Sequence, residues 1–143
     1  MARSKHYTGM AGTFAVAAEL SRRGYDVALT LGNTPSIDLL CASPSGRPFK
    51  VQVKSAASAN FIPIGKAWLE APPDESLFLV VVLVSAAGNP SFRYSILTHP
   101  EATSLWATVP KTKPSGDPYA PGWEGFGWPM ILPHEDAWAK LPA

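Results

Sequence analysis

Positions 77–84 read Leu-Phe-Leu-Val-Val-Val-Leu-Val, eight apolar residues in a row. A β-branched run of this length is the signature of a central strand buried on both faces. It is far too short to span a bilayer as a helix. The tract Pro72-Pro73-Asp74-Glu75 leads into it, and the turn-forming residues 85–90 lead out.

A second strand is marked by strict alternation over 49–55. Phe49, Val51 and Val53 point one way, and Lys50, Gln52 and Lys54 point the other. Further strands are expected at 25–31, 37–42 and 92–98. The first two are separated by the turn Gly32-Asn33-Thr34-Pro35-Ser36. A helix is expected over 9–23, ending at Gly24, a residue that accepts the left-handed backbone of a helix stop. Helical spacing puts Met10, Phe14, Val16, Ala17, Ala18 and Leu20 on one arc with Thr13, and leaves Gly12, Glu19 and Arg23 outside it. A short helix at 99–108 has Thr98 as its N-cap. Residues 56–70, with Pro63 and Gly65, read as irregular. Residues 111–129 read as a Pro/Gly/Trp-rich loop folded back on the domain, and 133–141 as a last short helix. Together these elements give an α/β fold, a mixed β-sheet flanked by helices.

A chain of 143 residues that is 46% apolar suits one domain with one core, spanning 1–143 with 111–143 as a packed C-terminal extension. Charged residues are only 16%, which leaves apolar surface for a partner to cover. The formal net charge is +1, so any nucleic-acid contact has to come from a local basic patch. One cysteine, Cys41, permits no internal disulfide and fits a reducing compartment such as the cytoplasm. Arg3 and Lys5 precede an Ala-rich stretch, but polar residues interrupt it. It reads as an amphipathic helix, not a signal peptide, and no membrane association is expected.

The chemistry concentrates on the two strands around Asp38 and Gln52. Joined by a short loop, they are expected to pair antiparallel. If Ile37 and Leu39 share a face with Phe49, Val51 and Val53, then Asp38 shares the other with Gln52 and Lys54. A carboxylate oxygen and an amide oxygen are hard ligands suited to Mg²⁺ or Mn²⁺. Such an ion can polarise a phosphodiester and lower the pKa of water, and a nearby lysine can offset charge in the transition state.

The segment Ile37-Asp38-Leu39-Leu40 followed by Val51-Gln52-Val53-Lys54-Ser55 resembles the D…(E/Q)xK core of the PD-(D/E)xK nuclease superfamily, in a Gln form similar to Mrr-type restriction endonucleases. Gly12, Ala18-Glu19-Leu20, Arg23-Gly24-Tyr25 and Leu31-Gly32-Asn33 are similar to its leading helix and turn, so the resemblance covers about the first 100 residues. The resemblance implies a restriction endonuclease-like three-layer core and a Mg²⁺- or Mn²⁺-dependent endonuclease, in restriction, repair or phage defence. It further implies Asp38 and Gln52 as metal ligands with the Val53 carbonyl, and Lys54 as the catalytic lysine. Its partner is nucleic acid, in the first place DNA, with a homodimer or protein partner also in view. The superfamily commonly adds a helix glutamate. Its expected place is Thr13, and the substitute acid Glu19 lies about 120° away around the helix.

Plainer roles stand beside these. Asp38 also fits a turn cap, Lys54 a solvated edge lysine, and Glu19 an ion pair with Arg22 or Arg23. Asn33 and Ser55 fit turn and strand-end duties as well as phosphate contact. Cys41 reads as a core thiol, and Trp106, Trp123, Trp128 and Trp138 as packing residues or a partner surface. With Gln52 and Thr13 in place of acids, the second functional reading is a catalytically weakened or inactive module of the same fold that binds nucleic acid or protein.

Overall fold

The computed structural model describes residues 3–30 and 37–143. Helix α1 (Lys5–Arg22) precedes the strands β1 (Asp26–Leu29), β2 (Leu39–Ala42), β3 (Pro48–Ala56) and β4 (Phe61–Pro63). Then come α2 (Lys66–Leu69), β5 (Leu77–Leu83), β6 (Arg93–Thr98) and α3 (His99–Ala107). The chain ends with β7 (Gly125–Gly127), α4 (Trp128–Ile131) and two 3₁₀ turns at Leu132–His134 and Trp138–Lys140. The turn expected at Gly32-Asn33-Thr34-Pro35-Ser36, and Leu31 before it, lie outside the described residues.

Five strands form a sheet in the order β1-β2-β3-β5-β6. The β1-β2 and β2-β3 pairs are antiparallel, β3-β5 is parallel and β5-β6 is antiparallel. A parallel pair needs a crossover of a dozen or more residues. Residues 57–76 supply it and contain β4 and α2, where the sequence reading expected irregular chain. These elements are short and interrupted by Pro63 and Gly65, so they carry no readable period.

The apolar run at 77–83 occupies the position its composition demands, between β3 and β6, with both faces covered. Phe78, Val80 and Val82 enter a core with Val16 and Leu20 of α1 and with Leu39, Phe49, Val51 and Val53. Leu77, Leu79 and Val81 enter a second core with Trp68 and Leu69 of α2, Ala102 and Trp106 of α3, Phe126, Trp128 and Ile131. Burying each large apolar side chain contributes about 1.5–3 kcal/mol. The result is three layers, with the sheet in the middle. Trp138 and Leu141 join the first core, so the C-terminal segment packs against the side of the sheet that α1 covers. Instead of the expected last helix, residues 133–141 make 3₁₀ turns. Pro133 and Pro142 leave little room for a run of α-helical hydrogen bonds.

Helix α1 turns a different face inward from the one its apolar arc predicted. The buried line is Thr8, Gly12, Val16 and Leu20, spaced four apart. Met10 and Phe14 are exposed, as is Ala18. The cause is Gly12. A Cβ at this position would collide with the side chain of Ser55 on β3. The helix backbone therefore lies against the strand, and the glycine takes the place a hydrophobic arc would assign to a larger residue. The end of α1 is as expected: Gly24 has φ 87°, and Tyr25 N–H donates to the Leu20 carbonyl.

Helix α3 begins with a reciprocal capping box. The Thr98 hydroxyl accepts from Glu101 N–H and the Glu101 carboxylate accepts from Thr98 N–H, each at 3.1 Å. No helix among the described residues is long and apolar enough to cross a membrane.

Candidate active site

The named pairing of β2 with β3 runs from Ala42–Pro48 to Leu39–Val51 and stops there, while β3 continues to Ala56 beside β5. This leaves a fork in which, among the described residues, the last half of β3 has a strand partner on the β5 side alone. Leu39 and Cys41 face the α1 core with Val51 and Phe49, and continuing the register by one residue sets Asp38 opposite Gln52. Backbone bonds hold Asp38 at the fork: its N–H donates to Val51 O at 2.9 Å and its carbonyl accepts from Thr30 N–H at 3.0 Å. Its carboxylate Oδ2 accepts from the Val53 N–H at 2.8 Å, so a side chain takes over the pairing where β2 ends. A residue's N–H and C=O leave a strand on the same side. The Val53 carbonyl therefore also points toward the fork.

Asp38, Gln52, Val53 and Lys54 all line one cleft of about 730 Å³, together with residues of the first turns of α1 and of β4. Three permanent cations, Arg3, Lys5 and Lys54, face it against the carboxylate of Asp38. Arg3 is held by the carbonyls of Val84 and Ser85, at 3.3 and 2.8 Å, which anchor the guanidinium without cancelling its charge. Among the described residues Lys54 forms no ion pair. The other lysine of β3 behaves differently: Lys50 sits on the same strand face but binds Asp74 at 2.6 Å, outside the cleft lining.

Gln52 is buried, and among the described residues its Oε1 finds no hydrogen-bond partner. An orphaned buried acceptor costs about 1–3 kcal/mol. The donor set at the fork is thus a carboxylate, an unsatisfied amide oxygen and a backbone carbonyl. Three hard oxygens match Mg²⁺ or Mn²⁺, which retain several waters and need few protein ligands. Among the described residues no cluster of three or more His, Cys, Asp or Glu side chains is present, so the fit rests on this mixed oxygen set.

Glu19, expected as a substitute ligand, does not reach the cleft. Its two carboxylate oxygens accept from Arg22 at 2.8 Å and Arg23 at 3.0 Å, as the i,i+3 and i,i+4 spacing of one helix turn allows. Thr13, the position expected for a helix acid, does line the cleft. Ser55 lines it too, but its hydroxyl also lies where α1 comes closest to β3. Cys41 is buried, and desolvation pushes its thiol up to about 11, which fits a core residue and not a nucleophile. His134 meets Lys140 and Glu101 at the first turn of α3, outside the lining of this cleft. Sequence reasoning missed Arg3 and Lys5 as members of the site. Their only signal was position: cations just before and at the start of a helix that begins earlier than its apolar pattern.

No protein-family model and no curated protein sequence matches the chain. Among solved structures, a bacterial homing endonuclease, I-Ssp6803I, superposes with a TM-score of 0.56 over 96% of this chain and 91% of that chain, at 16% sequence identity. The agreement extends through nearly the whole of both chains and concerns backbone architecture. The protein is a mixed α/β chain, a five-stranded sheet between flanking helices, with the restriction endonuclease-like fold.

Proposed function

We propose that this chain is a metal-dependent phosphodiesterase acting on nucleic acid, with DNA as the first substrate to test. The reading is carried by the fork between β2 and β3, where Asp38, Gln52 and Val53 line one cleft beside Lys54 and, among the described residues, the buried Gln52 Oε1 has no hydrogen-bond partner. The restriction endonuclease-like fold supports it, and so does the described function of the structural neighbour, a homing endonuclease. Asp38, Gln52 and the Val53 carbonyl would hold Mg²⁺ or Mn²⁺. When bound, that cation polarises the phosphodiester and makes water a better nucleophile. Lys54 offsets the negative charge that grows on the phosphoryl oxygens in the transition state. Arg3 and Lys5, with the positive end of the α1 dipole, draw the phosphate backbone into a cleft that is basic although the whole chain carries only +1. The test is nicking of supercoiled plasmid in Mg²⁺ or Mn²⁺. Wild type cuts, and Asp38→Asn and Lys54→Ala do not. Both variants cutting at the wild-type rate would refute the site assignment.

A second reading has its own supporting observation. Asp38 is the one carboxylate among the described cleft-lining residues, because Thr13 and Gln52 occupy acid positions and Glu19 faces away. A lone acid binds a divalent cation weakly, so a binding module that has lost catalysis also fits. Wild type that retains duplex DNA but takes up no Mn²⁺ identifies that case.

A further inference from the structure

Next to the candidate active site is a second hollow of about 340 Å³, walled by Phe61, Tyr119, Trp123 and Met130. Phe61 lines this hollow and the basic cleft alike, so the two share a wall. The ring sits at the start of β4 and is 46% exposed. Its cross-strand neighbour is Gly127, so no opposing side chain covers it. Also lining the hollow, Tyr119 and Trp123 pack at a tilt, with centroids 4.3 Å apart and planes 31° from each other. Trp123 in turn leans on buried Trp106 at 5.2 Å, and Lys111 Nζ stands 3.8 Å over the Trp106 ring. The aromatic wall is therefore anchored from behind by core packing.

The two neighbouring hollows differ sharply in polarity. One is lined by Arg3, Lys5 and Lys54, the other by aromatic rings and bare glycine backbone at Gly125 and Gly127. A nucleotide has the same division, an anionic phosphate joined to a flat aromatic base. Inside a duplex a base cannot offer its face to a protein ring, because its neighbours cover it. An unpaired base can. Aromatic platforms bind such bases with little regard to sequence.

We infer that the hollow between Phe61 and Trp123 receives an unpaired nucleobase next to the phosphodiester held in the basic cleft. The preferred substrate is thus nucleic acid with an extrahelical or single-stranded nucleotide. The inference rests on the phosphodiesterase reading of the cleft.

The test is fluorescence anisotropy with the full chain in chelator, so that no cleavage intervenes. Three labelled DNA duplexes are compared: fully paired, carrying one bulged adenine, and carrying an abasic residue at the same bulge. The adenine bulge is expected to bind about tenfold tighter than the abasic bulge. Phe61→Tyr keeps that ratio, and Phe61→Leu, which retains apolar bulk without a ring, brings it close to one. Equal affinity for the adenine and abasic bulges overturns the base subsite and leaves the phosphodiesterase reading standing. Failure of all three duplexes to bind overturns both. A ratio that survives Phe61→Leu also overturns it, since the discrimination then arises elsewhere.

Discussion

The carboxylate of Asp38 accepts the backbone N–H of Val53 across a distance of 2.8 Å, where named strand pairing between β2 and β3 has already ended at Leu39–Val51. This one bond links fold and site. It holds the acid against the strand that carries Gln52 and Lys54, on the side of β3 toward which the Val53 carbonyl also points.

The bond separates the structural role of Asp38 from its chemical one. Asp38→Ala leaves the part-buried Val53 N–H without this partner and should lower stability by about 1 kcal/mol. Asp38→Asn still offers an oxygen to Val53 and should lose clearly less. Urea denaturation of the two variants measures the difference, and both should be inactive toward plasmid DNA.

Gln52 should show the opposite balance. Its Oε1 is buried without a partner among the described residues, so the folded protein gains nothing from that atom. Gln52→Leu is expected to leave stability unchanged or to raise it by about 1 kcal/mol, while removing metal uptake. Gln52→Glu should tighten Mn²⁺ binding, because a second carboxylate joins the first. If Gln52→Leu is destabilised by several kcal/mol, the side chain has a structural duty that this account lacks.

Gly12 sets how closely α1 approaches β3. Gly12→Ala forces a Cβ against the Ser55 side chain and should cost about 1–3 kcal/mol by overpacking. Ser55→Gly in the same chain removes the atoms it meets and should recover much of the loss, which a double-mutant cycle on thermal midpoints would measure.

That glycine also shows what the sequence could and could not tell. The alternation of 49–55, the valine run at 77–83, the cap at Thr98 and the stop at Gly24 each follow from local chemistry, and each stands where expected. The inward face of α1 does not. A hydrophobic arc counts Met10 and Phe14, but it has no means of seeing that a bare Cα fits against Ser55 on a strand far along the chain. The β4-β7 ribbon was hidden for a related reason. Three-residue strands containing Pro63, Gly125 and Gly127 have no period, and their pairing joins residues 61–63 to the distant 125–127. At the site, alternation sufficed to group Asp38 with Gln52 and Lys54. Excluding Glu19 required its two arginine contacts, and including Arg3 required the tertiary path of the N-terminus.

Acid should weaken the fold through Asp74. Hydrogen bonds from Lys50 and then from Ser76 hold its carboxyl down at about 2, against an ordinary 3.8. A depressed acid stabilises the native state above its unfolded pKa, and that contribution is lost as pH falls from about 4 to about 2. The pair is about a third exposed, so the effect should be near 1 kcal/mol after solvent screening. Asp74→Asn should flatten the stability profile across that window. Denaturant midpoints recorded between pH 2 and 5 make the comparison.

The most direct measurement is a calorimetric titration of Mn²⁺ into the wild-type chain and into Asp38→Asn. Wild type is expected to bind one Mn²⁺ saturably, and the Asn variant, folded and still bonded to Val53, to bind none. Equal Mn²⁺ uptake by the two proteins would contradict the assignment of the β2-β3 fork as the metal centre.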